Sequence, residues 1–211
     1  MSFDDALAEL PLFPLPGAVL LPGTHLELHV FEPRYQALLA HCLETHRHMG
    51  IVQIVGDAEA KQPRIAAIAG VGSIEHHQPL EDGRAQIVLQ GRARVHLTEL
   101  PFKPPFRRAE ARVIEDVIAT PERKGDGTAL RTALVSFLDA LRKEGPSVTF
   151  QGAEGVSNAM LAHHIAQHLL FDAAVRQEIL EMRDPSERVA RVTVALLAQR
   201  TQLAGDAGAL N

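Results

Sequence analysis

Leu10-Pro11-Leu12-Phe13-Pro14-Leu15-Pro16, then Val19-Leu20-Leu21-Pro22-Gly23, then Leu28-His29-Val30-Phe31-Glu32-Pro33-Arg34-Tyr35: this opening run decides how the chain is read. Its apolar residues are interrupted by proline too often for a long helix, because each proline removes a backbone donor and fixes φ. Short extended pieces remain. Pro14, Pro16 and Pro22 are placed to end pairing at strand edges and steer a curved ribbon, and Gly23 can take the positive φ of a turn. Pro33 favours the first turn of a helix; Glu32 and Arg34 flank its start, where a carboxylate meets the positive end of the helix dipole. Tyr35, Leu38, Leu39 and Cys42 then recur at i, i+3, i+4, i+7, which predicts a helix over 34–45. The prolines, Gly23 and the run Phe31 to Tyr35 are read as a structural signature.

Outward from this run the punctuation stays dense to about residue 116. Strands are expected at 18–21, 26–31, 50–55, 65–75, 85–100 and 109–115, with 65–75 and 85–100 forming a long hairpin around Glu81-Asp82-Gly83. After Thr120-Pro121 the period changes: Leu130, Leu134, Phe137, Leu138 and Leu141 recur at helical spacing up to Gly145-Pro146. Ser157 and Asp172 are placed to cap two further helices, and Asp184-Pro185 opens a last one. The expected organisation is a β-rich half over 1–118, a linker over 119–126, a helical half over 127–200 and a frayed tail over 201–211. Strands followed by helices make this an α+β fold.

The chain has 211 residues and a formal net charge of −5, with one cysteine and no tryptophan. An unstructured chain, a disulfide framework and a thiolate zinc cage are excluded by that composition. With a pI near 6.1 there is no global basic field for polyanions. No stretch of membrane-spanning length is free of polar breaks, and the first ten residues carry acids where a secretory signal carries Lys or Arg, so a cytoplasmic protein is expected.

The opening run resembles the start of the N-terminal substrate-binding domain of ATP-dependent Lon proteases, LPLFPLPxxVLFPGxxLPLHIFEPRY. Gly72-Ser73-Ile74 and Gly91-Arg92-Ala93-Arg94-Val95 are similar to that family's GxI and GxxRxxI strands. Gln177-Glu178-Ile179-Leu180-Glu181, with Asp184 and Glu187-Arg188-Val189, is similar to its late helices. The resemblance implies a PUA-like β pseudo-barrel followed by a C-terminal helical bundle. It implies a non-enzymatic module that binds unfolded or apolar polypeptide segments, in a groove between the halves and with help from backbone pairing at a sheet edge. It also suggests an adaptor acting with a protease or chaperone in trans, and a free-standing domain. No GxxxxGK[ST] loop for ATP phosphates occurs. Lys143-Glu144-Gly145-Pro146-Ser147 imitates a Ser-Lys peptidase segment, yet no lysine follows Lys143 to serve as base, so Ser147 is read as a turn residue. No cofactor is expected.

The candidate binding residues are Phe102 and Phe106, in the apolar loop 100–106, either as exposed anchors for an extended hydrophobic segment or as core. The alternative class is an RNA- or nucleotide-binding PUA-like module, using the stretch from Arg92 to Lys124 with eight cationic against five acidic side chains. That excess is small and offers few stacking rings, so nucleic acid is the weaker reading. His163, His164 and His168 invite a metal, but HExxH fails at Ile165, and a histidine-bearing exposed helix face is expected instead. His25 and His29 on one strand stand about 13 Å apart, too far for one ion, and His76 and His77 point to opposite faces. Cys42 is read as a small buried hydrophobe.

Overall fold

The computed structural model of the chain describes residues 2–60, 62–118, 126–144, 150 and 155–209. It divides into two compact units, Met1–Glu115 and Asp116–Asn211, and its class is α+β. The first unit runs α1 (Phe3–Ala8), β1 (Leu10–Leu15), β2 (His25–Val30), α2 (Pro33–Glu44), β3 (His48–Val55), β4 (Arg64–Ile65), β5 (Ile68–Pro79), β6 (Ala85–Glu99) and β7 (Arg107–Val113). Helix α1 was not anticipated, although Ser2 and Asp5 form the reciprocal capping box that signals it.

The strand order β1-β7-β6-β5-β3 is closed by a β1–β3 pairing into a five-stranded ring, with β4 on β3 and β2 on β6. The closing strand β1 lies in the proline-rich opening run and was not among the expected strands. Leu10, Pro11 and Leu12 pair antiparallel with β7, while Leu12 to Leu15 pair parallel with β3. Only Leu12 is paired on both sides, so Pro11 and Pro14 each sit where one flank carries no ladder. Pro14 is thus inside a strand; Pro16, followed by Gly17 at φ 70°, ends it as expected.

Two cores follow from the two faces of this ring. Leu10, Leu12, Val52, Ala69, Val71, Val95, Leu97, Ala109 and Ala111, drawn from all five ring strands, fill the interior. The other face of the same strands presents Phe13, Ile51, Ile74, Ile87 and Leu89 to α2, whose Tyr35, Leu38, Leu39 and Cys42 form the stripe read from the sequence. The helix begins at Pro33, with Glu32 as N-cap and the Glu32 carbonyl accepting from the Tyr35 and Gln36 amides.

The segment 18–21, expected as a strand, joins no ladder. Its backbone crosses β5 and β6 instead, at two positions without side chains. A Cβ on Gly70 would lie 1.9 Å from the Leu20 carbonyl oxygen, and one on Gly91 would lie 2.1 Å from that of Leu21. The Gly91 amide and carbonyl bond to Thr24 and Gly23, and Gly23 holds φ at 78° as the turn requires. Gly70 and Gly91 permit this backbone approach, while a Cβ on Gly72, the glycine of the first strand motif, would meet the Leu20 side chain at 2.8 Å.

The second unit holds α3 (Asp126–Glu144), α4 (Asn158–Leu169), α5 (Ala173–Glu181) and α6 (Pro185–Ala209). Ser157 and Asp172 cap α4 and α5 through their side-chain oxygens, and Asp184 caps α6 by accepting from the Ser186 amide. Arg188, 1% exposed, grips Asp116 through two nitrogens at 2.8 and 2.6 Å and donates to the Met182 carbonyl. The backbone of α6 continues beyond Thr201, where a frayed tail was expected, since no proline stops it before Ala209. Of the expected linker, 119–125 lie outside the described residues, and Asp126 already belongs to α3. No helix among the described residues is long and apolar enough to cross a membrane.

Gly91→Ala must displace the crossing segment or bend β6, and is expected to cost about 2–3 kcal/mol. Urea denaturation checks this; an unchanged midpoint would remove the crossing from the account of stability.

Candidate functional site

The connection 100–106 between β6 and β7 treats its two phenylalanines differently. Phe102 is 49% exposed, whereas Phe106 is 4% exposed. Lys103 and Phe106 make an isolated antiparallel bridge that folds the loop on itself. The Arg108 guanidinium carbon stands 4.1 Å from the centroid of the Phe106 ring, and His41 packs against that ring at 5.4 Å.

Both phenylalanines nevertheless line one cavity of about 410 Å³. Leu12 and Pro14 from β1 and Tyr35 from α2 form part of its lining, Ile54 contributes from β3, and residues 58–60 with Gln62 and Pro63 make a second wall. The signature's two ends meet here. The Tyr35 hydroxyl donates to the Pro14 carbonyl at 3.0 Å, and the Phe13 and Tyr35 rings pack at 4.1 Å. Burial pushes the Tyr35 hydroxyl above its ordinary pKa, with the Arg34 charge working against it. All residues lining this cavity belong to the first unit.

The cations at the cavity are engaged within the unit. Arg107 donates to both Glu99 oxygens at 2.6 Å and to the Pro63 carbonyl at 2.7 Å, so one guanidinium ties β6 and the second wall to β7. Arg34 pairs with Glu32 at 2.8 Å and lies over the Tyr35 ring at 4.5 Å. Arg108 pairs with Glu9 at 3.3 Å. Farther along the stretch weighed for RNA, Arg112 pairs with Glu110 and the nearly buried Arg94 donates to the Ile114 carbonyl. Arg123 and Lys124 lie outside the described residues.

The sequence did not point to residues 58–60, 62 and 63, to Ile54 or to Arg107 as cavity lining: the parallel β1–β3 pairing sets Ile54 near β1, and the antiparallel β1–β7 pairing sets Arg107 opposite Leu12. Among the signature residues, Phe31 departs from a packing role: it is 59% exposed and touches the His29 ring at its edge. His163 is buried inside α4's unit rather than on an exposed face, while the His164 and His168 rings stand 6.3 Å apart along the helix. No group of three or more potential ligands for a metal occurs among the described residues. Ser147 lies outside them.

From Phe106 a file of rings runs through His41, His46 and His48 to Phe3, with centroid separations of 5.4, 6.2, 5.9 and 5.2 Å. Burial lowers the pKa of His46, and its neighbours His48 and His41 and the amino terminus lower it further against a counter-pull from Asp5. Burial also lowers that of His48, with a hydrogen bond to the His46 backbone opposing and Arg92 assisting. Cys42, beneath this file, is fully buried; its thiol donates to the His48 carbonyl at 3.2 Å and burial pushes its pKa up to about 12.

Residues 9–198 match the family described as the ATP-dependent protease La (LON) substrate-binding domain. The chain belongs to the Lon substrate-binding domain family. It is 28% identical over 205 residues to Lon protease 2 of Syntrophobacter fumaroxidans, covering 92% of this chain and 25% of that one. With the Lon protease of Escherichia coli K12 the identity is 27% over 190 residues, covering 86% and 24%. This Lon substrate-binding domain chain therefore spans about a quarter of the length of the curated relatives it matches. The Lon N-terminal domain protein from Xanthomonas campestris superposes with a TM-score of 0.63 at 24% identity, covering 88% of this chain and 97% of that one. The N-terminal domain of Mycobacterium avium complex Lon protease gives 0.69 at 16%, covering 90% and 98%. These likenesses establish the fold, and the family match supports a substrate-binding role.

Two outcomes follow for this Lon-family domain. Cys42 is expected to resist a thiol-specific disulfide reagent at neutral pH until denaturant is added; stoichiometric labelling of the native protein would contradict its burial. The depressed pKa values of His46 and His48 mean that the unfolded chain binds more protons below its ordinary 6.5. Stability present above that pH is lost as pH falls through the folded values. The thermal midpoint should therefore drop between about pH 7.5 and 5.5, and the drop should flatten in a His46→Gln, His48→Gln double variant. The depressed carboxylates Asp82 and Glu178 act in a separate window, below 4.5. A wild-type midpoint that stays level or rises across the histidine window would count against this assignment.

Proposed function

We propose that this domain is a non-enzymatic polypeptide-binding module whose site is the cavity of the first unit, with Phe102 as its exposed anchor and Phe106 as a fixed part of its wall. The observation that carries the reading is an apolar cavity of about 410 Å³ with a half-exposed aromatic side chain at its edge. A space of that size admits one or two large side chains of an extended segment, and an aromatic ring in such a place contributes strongly to binding. Membership of a substrate-binding family supports the same reading.

The RNA alternative receives less support. Arg107, Arg108 and Arg112 are each committed to a carboxylate. Counterion release by phosphate contact requires cations available to phosphate.

Fluorescence anisotropy of labelled unstructured peptides, with a single-stranded RNA oligonucleotide in parallel, tests the choice. Peptides bearing Phe or Leu are expected to bind with an affinity that changes little between about 50 mM and 500 mM salt, because burial of apolar area is not screened. Phe102→Ala should weaken them about tenfold while leaving the thermal midpoint nearly unchanged. Phe106→Ala is no substitute, since it opens a core cavity worth about 3–5 kcal/mol of stability. Silence toward peptides with steeply salt-dependent RNA binding would reverse the assignment.

A further inference from the structure

Strand β2 lies at an edge of the sheet. His25 to Val30 pair with β6 on one flank, and the other flank carries no ladder among the described residues. The Gly91 amide donates to the Thr24 carbonyl, which sets the phase of that ladder. Backbone groups alternate sides along a strand, so Leu26, Leu28 and Val30 bond to β6 while His25, Glu27 and His29 turn their amides and carbonyls to the open flank. Such a row is a template for another strand, and natural edges are guarded by proline, lysine or a bulge. The run His25-Leu26-Glu27-Leu28-His29-Val30 contains neither residue, and its register with β6 has no shift.

The side chains of this edge follow a self-complementary order. His25, Glu27 and His29 are exposed on one face, and Glu27 enters no ion pair among the described residues. Leu26 and Leu28 are half-buried on the other, packed against the core beneath α2. Antiparallel pairing of two such strands about a two-fold axis through Leu28 sets Glu27 opposite His29 of the second copy, and His29 opposite its Glu27. Leu28 then meets Leu28, and Leu26 meets Val30. The same register, continued outward, sets the 59% exposed Phe31 opposite His25 of the second copy. An axis through Glu27 would oppose two carboxylates, which cross-strand pairing disfavours, and one through His29 would leave Glu27 opposite Phe31.

We propose that β2 is the interface of a symmetric dimer of this chain, joined by antiparallel β2–β2 pairing about Leu28. The contact is isologous, so each favourable pair occurs twice. On either side of the axis Glu27 and His29 of the second copy exchange both main-chain bonds and face each other through their side chains. Leu26 and Leu28 lose their remaining contact with water. Phe31, which packs on nothing but the edge of His29 in the single chain, gains a ring from the second copy. A contact confined to one six-residue strand is small, so the dimer is weak, with a dissociation constant of about 1–100 µM.

Sedimentation equilibrium of the full chain over about 1–300 µM should show a mass rising from 23.0 kDa toward twice that value. His29→Glu opposes carboxylates on both sides of the axis and should weaken the dimer about tenfold, with the monomer still folded by circular dichroism. Glu27→His combined with His29→Glu exchanges the two partners and should restore it. Leu28→Cys brings two thiols together on the axis, at a non-hydrogen-bonded pair with Cα atoms about 4.5 Å apart, and should cross-link under mild oxidation. His25→Cys, far from its own copy in this register, should not, and the buried Cys42 supplies no competing thiol. A monomer at every concentration, including one that takes up an extended peptide along this edge, overturns the proposal. So does a dimer that His29→Glu leaves intact or that Leu28→Cys fails to lock.

Discussion

The bond from the Tyr35 hydroxyl to the Pro14 carbonyl, covered by the Phe13 ring, is the joint on which the first unit depends. It fastens α2 to the strand that closes the ring. Because β1 is paired along only part of each flank, its position is not fixed by ladder bonds alone. A buried hydroxyl must find an acceptor, and a carbonyl in β1 supplies one. The remaining features take their places from this: β1 seals the ring interior on one face, α2 covers the other, and Pro14 and Tyr35 become part of the cavity.

Much of this was legible from residues alone. The i, i+3, i+4, i+7 stripe of α2, the caps of Ser157 and Asp172, the Asp184-Pro185 start and the change from strand to helix period all express local rules, and the structure follows them. What local rules misjudged was set by distant partners. Pro14 was expected to end pairing at a strand edge, yet it lies inside β1, because a strand that is flanked only in part accommodates it. The run Val19-Leu20-Leu21 has a strand's composition, yet its backbone lies across Gly70 and Gly91 and joins no ladder. The candidate site was half legible: Phe102 and Phe106 stood out because two phenylalanines in a proline-rich loop are unusual. Which one is buried, and that residues 58–60, 62 and 63 line the same cavity, depends on contacts between residues distant in sequence that no sequence period announces.

The distribution of charge answers a question that composition left open. The stretch from Arg92 onward is rich in arginine, but the structure spends those side chains as fasteners: Arg107 between three elements, Arg108 on a ring and on Glu9, Arg94 on a backbone carbonyl. Arginine suits that task because its planar fork satisfies several acceptors at once. A local excess of cations in a sequence therefore measures an available basic surface only after the internal acceptors have been counted.

Phe106 serves two masters. It is core for the ring's outer layer and wall for the cavity, and its ring is held from one side by Arg108 and from another by His41. Any change there alters the folded population and the shape of the cavity together, so drift at this position is confined to substitutions tolerable on both counts. Phe102, half open to solvent, carries no such double duty. From this loop the cavity thus has one aromatic residue whose replacement disturbs the core and one whose replacement does not.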